Sequence, residues 1–259
     1  MLGGFLATAE EAADIAGSVI RPLFRSALLV EAKGDASPVT RADRDAESAI
    51  RALLAERHPG HGLIGEEHGS ERADAEWVWV IDPIDGTRAF VTGRPLFGCL
   101  IALLHRGTPV LGLLDQPATG ERWIGLQGQP TSFRGPFGGT PRCRPCPRLA
   151  EAELSCTSPD MFRPAERPGF ERLRAAARRV TWGGDCYAYG LLALGLVDVV
   201  AESTMKPWDW AALVPIVEGA GGRITDWSGR SLTLASEGQV LALGDPALLP
   251  EATAKLTEA

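Results

Sequence analysis

The sequence of 259 residues lacks the features that mark several protein classes. Its formal net charge of −7 leaves no excess of positive charge for a nucleic-acid surface. It has no run of 18 apolar residues, so we expect no transmembrane helix and no membrane partner. Its first residues lack a basic segment ahead of an apolar one, so we expect no signal peptide and a cytoplasmic location.

Cysteine is also scarce, and the patterns of several enzyme classes are missing. Five cysteines are an odd number and do not indicate a disulfide framework. Cys143 and Cys146 form a single C-x-x-C pair, without the second pair or nearby histidines that a zinc site needs. Neither a Ser-His-Asp order nor a G-x-x-x-x-G-K-[ST] loop is present, which disfavours acyl transfer and P-loop chemistry.

The remaining composition is that of a globular protein, with 45% hydrophobic and 23% charged residues. The patterns predict helices over 5–27 and 43–58, then an antiparallel meander with strands at 99–104, 110–115 and 122–126. Strands and helices alternate after an irregular loop at 127–150. We therefore expect a layered α/β (α+β) sandwich, with an N-terminal half at 1–140 and a C-terminal half at 141–259.

The most informative stretch is W-V-I-D-P-I-D-G-T-R-A-F, at 79–90. An apolar strand is expected to end at Asp82, with Pro83 preventing its continuation and Asp85 three residues further on. Burying two unpaired carboxylates would cost several kcal/mol each, and Mg²⁺ is a usual remedy because it prefers hard oxygen ligands. Gly86 allows a close backbone approach, and Thr87 adds a hydroxyl. The alternative is a strand followed by an ordinary Asp-Gly turn.

Two further carboxylates lie at the ends of predicted elements. Glu66 follows the short strand Leu63–Ile64 and lies 16 residues before Asp82, which leaves room for a return strand that brings the two together. Asp209 lies in the first turn of a helix expected to run from Pro207 to Gly219. His68 is interpreted as solvated, because the neighbouring oxygen ligands indicate a hard metal site.

Four other polar residues have two interpretations each. Asp43 either completes a capping box with Thr40 or orients a hydroxyl or a water near the metal site. Lys33 is either a solvated loop residue or a cation that faces phosphate. Asp185 is either a helix N-cap or a substrate contact, and Glu202 is either a solvated strand end or a substrate contact.

These residue types suit the hydrolysis of a phosphomonoester. Such an ester is dianionic and resists attack, and metal ions held by several carboxylates can bind its oxygens and activate a water. A hydroxyl paired with a carboxylate can orient that water, and Thr87 with Asp43 is a candidate pair.

Three motifs in order resemble the inositol monophosphatase family: G-E-E at 65–67, D-P-I-D-G-T at 82–87, and W-D-W-A-A with E-G-A-G-G within 208–222. The resemblance covers nearly the whole chain. It implies an α-β-α-β-α fold shared with fructose-1,6-bisphosphatase. It also implies hydrolysis of a small phosphate ester with two or three Mg²⁺ ions, sensitivity to lithium and a homodimer.

The resemblance also implies roles for individual residues. Water attacks phosphorus directly, without a covalent enzyme intermediate. The water-activating pair falls on Asp43 and Thr87. Metal ligands fall on Glu66, Asp82, Asp85, Asp209 and the Ile84 carbonyl; phosphate contacts fall on Lys33, Gly86 and Thr87.

Three less specific motifs resemble those of the histidinol-phosphate phosphatase branch of the family: D-G-T-R-A-F at 85–90, G-G-D-C-Y-A-Y-G at 183–190 and W-D-W-A-A-L-V-P-I at 208–216. Histidinol phosphate carries an ammonium and an imidazole, so its pocket should present anions beyond the phosphate site. Asp185 and Glu202 are the candidates. Inositol phosphates, sugar phosphates and nucleotide bisphosphates are alternative substrates. A non-catalytic phosphate-binding protein would lack a metal carboxylate or the motif threonine, and neither is missing.

Overall fold

The computed structural model describes residues 2–26, 30–32 and 38–258. Lys33 lies outside these ranges. The first part of the chain has three helices and nine strands: α1 (Leu2–Leu23), β1 (Val30–Ala32), β2 (Pro38–Thr40), α2 (Arg41–Arg57), β3 (Gly62–Gly65), β4 (Gly69–Glu71), β5 (Trp77–Asp85), α3 (Thr87–Val91), β6 (Gly98–His105), β7 (Thr108–Gln116), β8 (Glu121–Leu126) and β9 (Ser132–Arg134).

The second part alternates strands and helices, as expected. Its elements are β10 (Glu153–Cys156), α4 (Arg167–Ala176), β11 (Arg179–Trp182), α5 (Asp185–Ala193), β12 (Val199–Glu202), α6 (Pro207–Trp210), α7 (Leu213–Gly219), β13 (Arg223–Thr225), β14 (Val240–Leu243) and α8 (Leu249–Thr257). None of the helices in the described ranges is long and apolar enough to cross a membrane.

Two mixed sheets organise the molecule. The seven-stranded sheet has the order β4-β3-β5-β6-β7-β8-β9, in which β3 and β5 are parallel and the other neighbours are antiparallel. The predicted meander is therefore confirmed as β6, β7 and β8. The five-stranded sheet has the order β11-β10-β12-β14-β13, and β10 runs parallel to both β11 and β12.

Three buried clusters define five layers. One cluster packs α1 and α2 on the outer face of the seven-stranded sheet. A second lies between the two sheets and contains α5 and α7. A third packs α4 and α8 on the outer face of the five-stranded sheet. The α-β-α-β-α order is confirmed, and it explains why β5 is apolar from Trp77 to Ile81: Trp79 faces the first cluster, whereas Val78 and Val80 face the second.

The central helix α7 lies directly on the seven-stranded sheet. A Cβ atom on Gly112 would come within 1.9 Å of the Ala212 carbonyl oxygen, and one on Gly125 within 2.3 Å of the Pro215 carbonyl carbon. Glycine at these two strand positions therefore allows the close approach. Because α7 belongs to the second half of the sequence and covers a sheet of the first, the two halves share one core; the boundary near 140 remains a prediction.

The structure corrects several predicted element boundaries. Strand β5 does not stop at Asp82 but continues to Asp85 through an irregularity in its pairing with β6, and Pro83 is accommodated there. The helix expected from Pro207 to Gly219 is split into α6 and α7, because Pro215 has no N–H to donate to the carbonyl of Ala211. Helix α1 ends at Leu23 instead of residue 27.

Candidate active site

The parallel pairing of β3 with β5 places Glu66 beside Asp82. Gly65 pairs with Ile81 in the register of these strands, so the residues that follow leave the same edge of the sheet side by side. The charge of Glu66 acts on both Asp82 and Asp209, which shows that its carboxylate lies in their neighbourhood. The return strand needed between the two motifs is β4.

The irregularity in β5 separates the two aspartates of the D-P-I-D motif. Asp82 pairs with Leu100 and Asp85 with Gly98, so three steps along β5 match only two steps along β6. The backbone N–H of Ile84 donates to Asp82 Oδ1 at 3.0 Å, and that of Cys186 donates to Asp85 Oδ2 at 2.5 Å. These bonds fix the two carboxylates on one side of the motif.

Asp209 completes the cluster from the third position of α6. The backbone N–H of Lys206 donates to Asp209 Oδ2 at 2.7 Å, and this hydrogen bond caps the N-terminus of α6. One ligand oxygen each from Asp82, Asp85 and Asp209 lies within 4.8 Å of the other two. We call these three residues, together with Glu66, the carboxylate cluster.

Burial and the charges of neighbouring carboxylates raise the pKa values of Asp82, Asp85 and Asp209. Burial is the largest cause for Asp82, and the charges of Glu66, Asp85 and Asp209 raise its pKa further. Burial and then the charge of Asp209 raise the pKa of Asp85, and burial raises the pKa of Asp209 to about 7. Buried oxygen ligands that repel one another are a donor set that fits a hard divalent cation.

Asp43 performs both of the roles considered for it. Its Oδ2 accepts hydrogen bonds from the Thr40 N–H at 2.8 Å and the Thr40 hydroxyl at 2.7 Å, which forms the predicted capping box. Its Oδ1 lies 3.2 Å from Thr87 Oγ1, and that hydroxyl also lies 3.1 Å from the Ile84 carbonyl oxygen. Burial raises the pKa of the Asp43 carboxyl.

Gly86 and Asp185 face each other across the site. Gly86 has a φ of 89°, and a Cβ atom there would lie 3.0 Å from Asp185 Cγ, so glycine suits both the backbone conformation and the space. The N-cap of α5 is Gly184, which makes the N-cap interpretation of Asp185 wrong. Within the part of the chain that the structure describes, no donor bonds the Asp185 carboxylate. Burial and the charge of Asp85 raise its pKa to about 8.

Glu202 is buried at the end of β12, so its interpretation as a solvated strand end is wrong. Its Oε1 accepts a hydrogen bond from the Thr157 N–H at 2.9 Å, and its Oε2 accepts one from the Tyr189 hydroxyl at 3.0 Å. Burial raises its pKa. Thr157 also connects the two candidate substrate residues, because its Oγ1 accepts the Asp185 N–H at 3.1 Å.

A cavity of about 360 Å³ adjoins the site, and Glu66 is the member of the carboxylate cluster that lines it. Its wall also contains Thr87, Arg88, Asp160 and Asp185. Arg88 is exposed. The cavity therefore presents three carboxylates and one guanidinium.

The structure also describes His68 and the pair Cys143 and Cys146, which the sequence had singled out. His68 is exposed, as expected, with Nε2 3.0 Å from Ser48 Oγ. Cys143 and Cys146 are free thiols, whose Sγ atoms lie 3.5 Å from the Leu192 carbonyl oxygen and 3.6 Å from the Arg148 carbonyl oxygen, respectively.

Sequence reasoning missed Glu47 and Arg51, which contact the turn that carries Glu66. The available signal was their spacing on α2. Asp43, Glu47 and Arg51 follow one another at intervals of four residues and therefore share one helix face. Glu47 also falls among the buried apolar residues of that face, an unusual place for a carboxylate.

Comparison with known proteins gives the same family throughout. A model described as the inositol monophosphatase family matches residues 2–259. A chloroplastic bifunctional phosphatase of Arabidopsis thaliana is 46% identical over 253 residues, which cover 94% of this chain and 72% of that protein. A histidinol-phosphatase of Mycobacterium tuberculosis is 39% identical over 84% of this chain and 85% of its own length.

A solved structure titled as an inositol monophosphatase from Zymomonas mobilis superposes with a TM-score of 0.89. It is 47% identical to this chain, and the match covers 98% of each chain. The similarity therefore extends over both sheets and the site between them.

Proposed function

Because this chain belongs to the inositol monophosphatase family and hydrolyses phosphomonoesters, we propose that its substrate is L-histidinol phosphate. The products are L-histidinol and inorganic phosphate, and the reaction serves histidine biosynthesis. The observation that carries this proposal is the Asp185 carboxylate beside Gly86, which accepts no hydrogen bond from the described residues and lines a cavity together with Glu66. Such a cavity favours a phosphate ester that also carries positive charge.

We assign the cofactor as Mg²⁺, with two or three ions held by Glu66, Asp82, Asp85, Asp209 and the Ile84 carbonyl. When bound, Mg²⁺ neutralises phosphoryl oxygens and lowers the pKa of water. Asp82, Asp85 and Asp209 are suited to this because they lie close together, and the charges of neighbouring carboxylates add to burial in raising their pKa values. A homodimer and a cytoplasmic location remain predictions.

Thr87 and Asp43 orient and deprotonate the attacking water in this proposal. The Thr87 hydroxyl can donate its proton to Asp43 Oδ1 and accept one from a water in the cavity. Asp43 is fixed by its two bonds from Thr40, so its Oδ1 stays within hydrogen-bond distance of Thr87 Oγ1. When the Thr87 proton points to Asp43 and not to the Ile84 carbonyl, the pair can move a proton away from the water.

Backbone N–H groups of Gly86 and Thr87 bind the phosphate, with Lys33 as a further cation. Asp185 accepts from the substrate ammonium or imidazole, because its carboxylate lines the cavity and has no donor in the described chain. Glu202 adds negative charge behind it, and its two oxygens keep free lone pairs beyond the bonds from Thr157 and Tyr189.

The second candidate is hydrolysis of inositol phosphate. It is favoured by the Zymomonas mobilis structure, which is titled as an inositol monophosphatase and is 47% identical. A non-catalytic binding protein is disfavoured, because the three aspartates of the cluster lie together and the Thr87 hydroxyl lies within hydrogen-bond distance of Asp43.

The test is phosphate release by the purified protein with Mg²⁺. The panel contains L-histidinol phosphate, myo-inositol-1-phosphate, fructose-1,6-bisphosphate and 3′-phosphoadenosine-5′-phosphate. We expect kcat/KM for histidinol phosphate to exceed the others by at least about 100-fold, which is about 2.7 kcal/mol of transition-state discrimination. A flat profile or a preference for inositol phosphate would contradict the substrate and leave the phosphatase assignment intact.

A further inference from the structure

We propose that Glu47, together with Arg51, is a positioning residue that fixes the turn carrying Glu66 for metal binding. The turn comprises residues 65–69 and joins β3 to β4. The inference rests on the proposed role of the carboxylate cluster in binding Mg²⁺. It goes further because Glu47 lies outside that cluster and acts only through the turn.

The Glu47 side chain is fully buried and contacts the turn on both sides of Glu66. Its Oε2 accepts the Glu67 N–H at 2.7 Å, and its Oε1 accepts the His68 N–H at 3.1 Å. A Cβ atom on Gly65 would lie 2.2 Å from Glu47 Oε1, so the carboxylate lies against the backbone of that glycine. One carboxylate thus contacts three of the four other residues of the turn.

Arg51 connects this carboxylate to the far end of the turn. Its Nε donates to Glu47 Oε1 at 2.8 Å, and its other nitrogens donate to the Gly69 carbonyl and to Glu71 Oε1. The guanidinium is itself largely buried, with 12% of its side chain exposed. Because α2 also carries Asp43, one helix face holds both the Thr87 hydroxyl and the Glu66 turn.

The turn needs this restraint because the sheet does not supply it. Pairing with β5 fixes β3 only as far as Gly65, and β4 is an exposed edge strand of three residues. Without the Glu47 carboxylate, the Glu67 and His68 N–H groups would lose the acceptors that it provides. Partners outside the metal ligands commonly orient those ligands, and their loss weakens metal affinity by about 10-fold to 100-fold.

A second buried carboxylate that pairs with an arginine provides a control, although its partner Arg144 is only half-buried. Asp198 is fully buried, accepts two bonds from Arg144 at 2.7 and 2.5 Å, and accepts the Glu153 N–H at 2.7 Å. It lies just before β12, at the opposite end of that strand from Glu202. Its chemistry resembles that of Glu47, but its partners lie outside the carboxylate cluster.

The experiment titrates Mn²⁺ into the full-length, metal-free protein without substrate and follows binding by calorimetry. We compare wild type, Glu47→Gln and Asp198→Asn, and record thermal melts of each. In Glu47→Gln, an NH2 group replaces one of the two carboxylate oxygens. This donor would face a backbone N–H, which is also a donor, so one hydrogen bond is lost. We expect Glu47→Gln to weaken Mn²⁺ binding about 10-fold or more, and Asp198→Asn to leave binding within about 2-fold of wild type while lowering Tm.

The Mg²⁺ dependence of activity is a second measurement. A loss of stability alone would not shift this dependence. We expect Glu47→Gln to raise the Mg²⁺ concentration for half-maximal phosphate release, with kcat recovering at saturating Mg²⁺. If Glu47→Gln does not fold, Arg51→Gln should also raise the Mg²⁺ concentration for half-maximal phosphate release, by a smaller factor. Wild-type affinity in a folded Glu47→Gln or Arg51→Gln variant would overturn the inference. Absence of Mn²⁺ binding to wild type would instead overturn the metal site and the inference with it.

Discussion

Buried carboxylates in this protein occur in two different surroundings. Asp198 meets the guanidinium of Arg144 and a backbone N–H, and Asp115 meets Arg122 at 2.6 Å. Asp82, in contrast, is surrounded by the charges of Glu66, Asp85 and Asp209. The first kind is compensated by the chain itself. The second kind requires protons or an external cation, and this difference separates carboxylates that maintain the fold from those of the active site.

The strongest test of this comparison exchanges one residue of each kind for its amide. Asp82→Asn should reduce kcat/KM by at least about 1,000-fold, because the metal site loses a central ligand. The metal-free variant should melt no lower than wild type, since one repelling charge is gone. Phosphate-release assays and melts in EDTA measure both effects.

The substitution of the other kind of carboxylate should lower stability and leave activity unchanged. Asp198→Asn should lower the free energy of unfolding by about 1–3 kcal/mol, since a buried hydrogen-bonded charge pair is broken, and should leave kcat/KM near wild type. Retention of activity by Asp82→Asn would show that the metal assignment is wrong.

The next largest effect concerns the Asp43–Thr87 pair. Thr87→Val should lower kcat by about 100-fold to 1,000-fold, because the hydroxyl that orients the water is lost while the volume is nearly kept. Mn²⁺ affinity measured by calorimetry should change little. A kcat near that of wild type would exclude the pair from the proton path, and Thr92→Val, at an exposed hydroxyl on the same segment, is the control.

Asp185→Asn should have an intermediate effect that depends on the substrate. We expect kcat/KM for histidinol phosphate to fall about 10-fold, since a charged acceptor facing the substrate cation is removed. The value for an ester whose alcohol part carries no positive charge, such as glycerol 2-phosphate, should not fall. Equal losses for both esters would show that Asp185 supports the site without discriminating substrates.

The last prediction concerns the dependence of stability on pH. Burial raises the pKa values of Asp82 and Asp85 and brings that of Asp209 to about 7, so the folded, metal-free chain binds more protons than the unfolded chain above about pH 4. The cluster's contribution to stability is therefore full at low pH and is lost as pH rises through the folded pKa values. The slope is about 1.4 kcal/mol per pH unit for each group.

Denaturant unfolding in EDTA from pH 5 to pH 8 measures this loss. Asp209→Asn should have a shallower fall than wild type, and Mg²⁺ should stabilise wild type more at pH 8 than at pH 5. A wild-type slope equal to that of Asp209→Asn would contradict the raised pKa of this residue.

The sequence predicted the parts of this site that depend on local pattern. The apolar run before Asp82, the capping box of Thr40 and Asp43, and the strand and helix alternation each have a short-range physical cause. The continuation of β5 to Asp85 was not predictable locally, because it depends on pairing with β6 across the turn.

The missed and corrected residues share a dependence on tertiary packing. Glu47 is a normal helix residue by propensity, and only the approach of the 65–69 turn gives it a partner. Glu202 is an ordinary strand end until Thr157 and Tyr189 enclose it. Burial of a polar side chain depends on what the rest of the chain places over it, which no local pattern reports.

The central claim is that the carboxylate cluster binds divalent cations. The most direct measurement is the anomalous difference density of a crystal of this protein soaked in Mn²⁺. We predict peaks within coordination distance of Asp82, Asp85 and Asp209 in the wild-type map. In crystals of Asp82→Asn these peaks should disappear or have lower occupancy. A map without a peak at these residues, or with its strongest peak at another site such as Cys143 and Cys146, would contradict the claim.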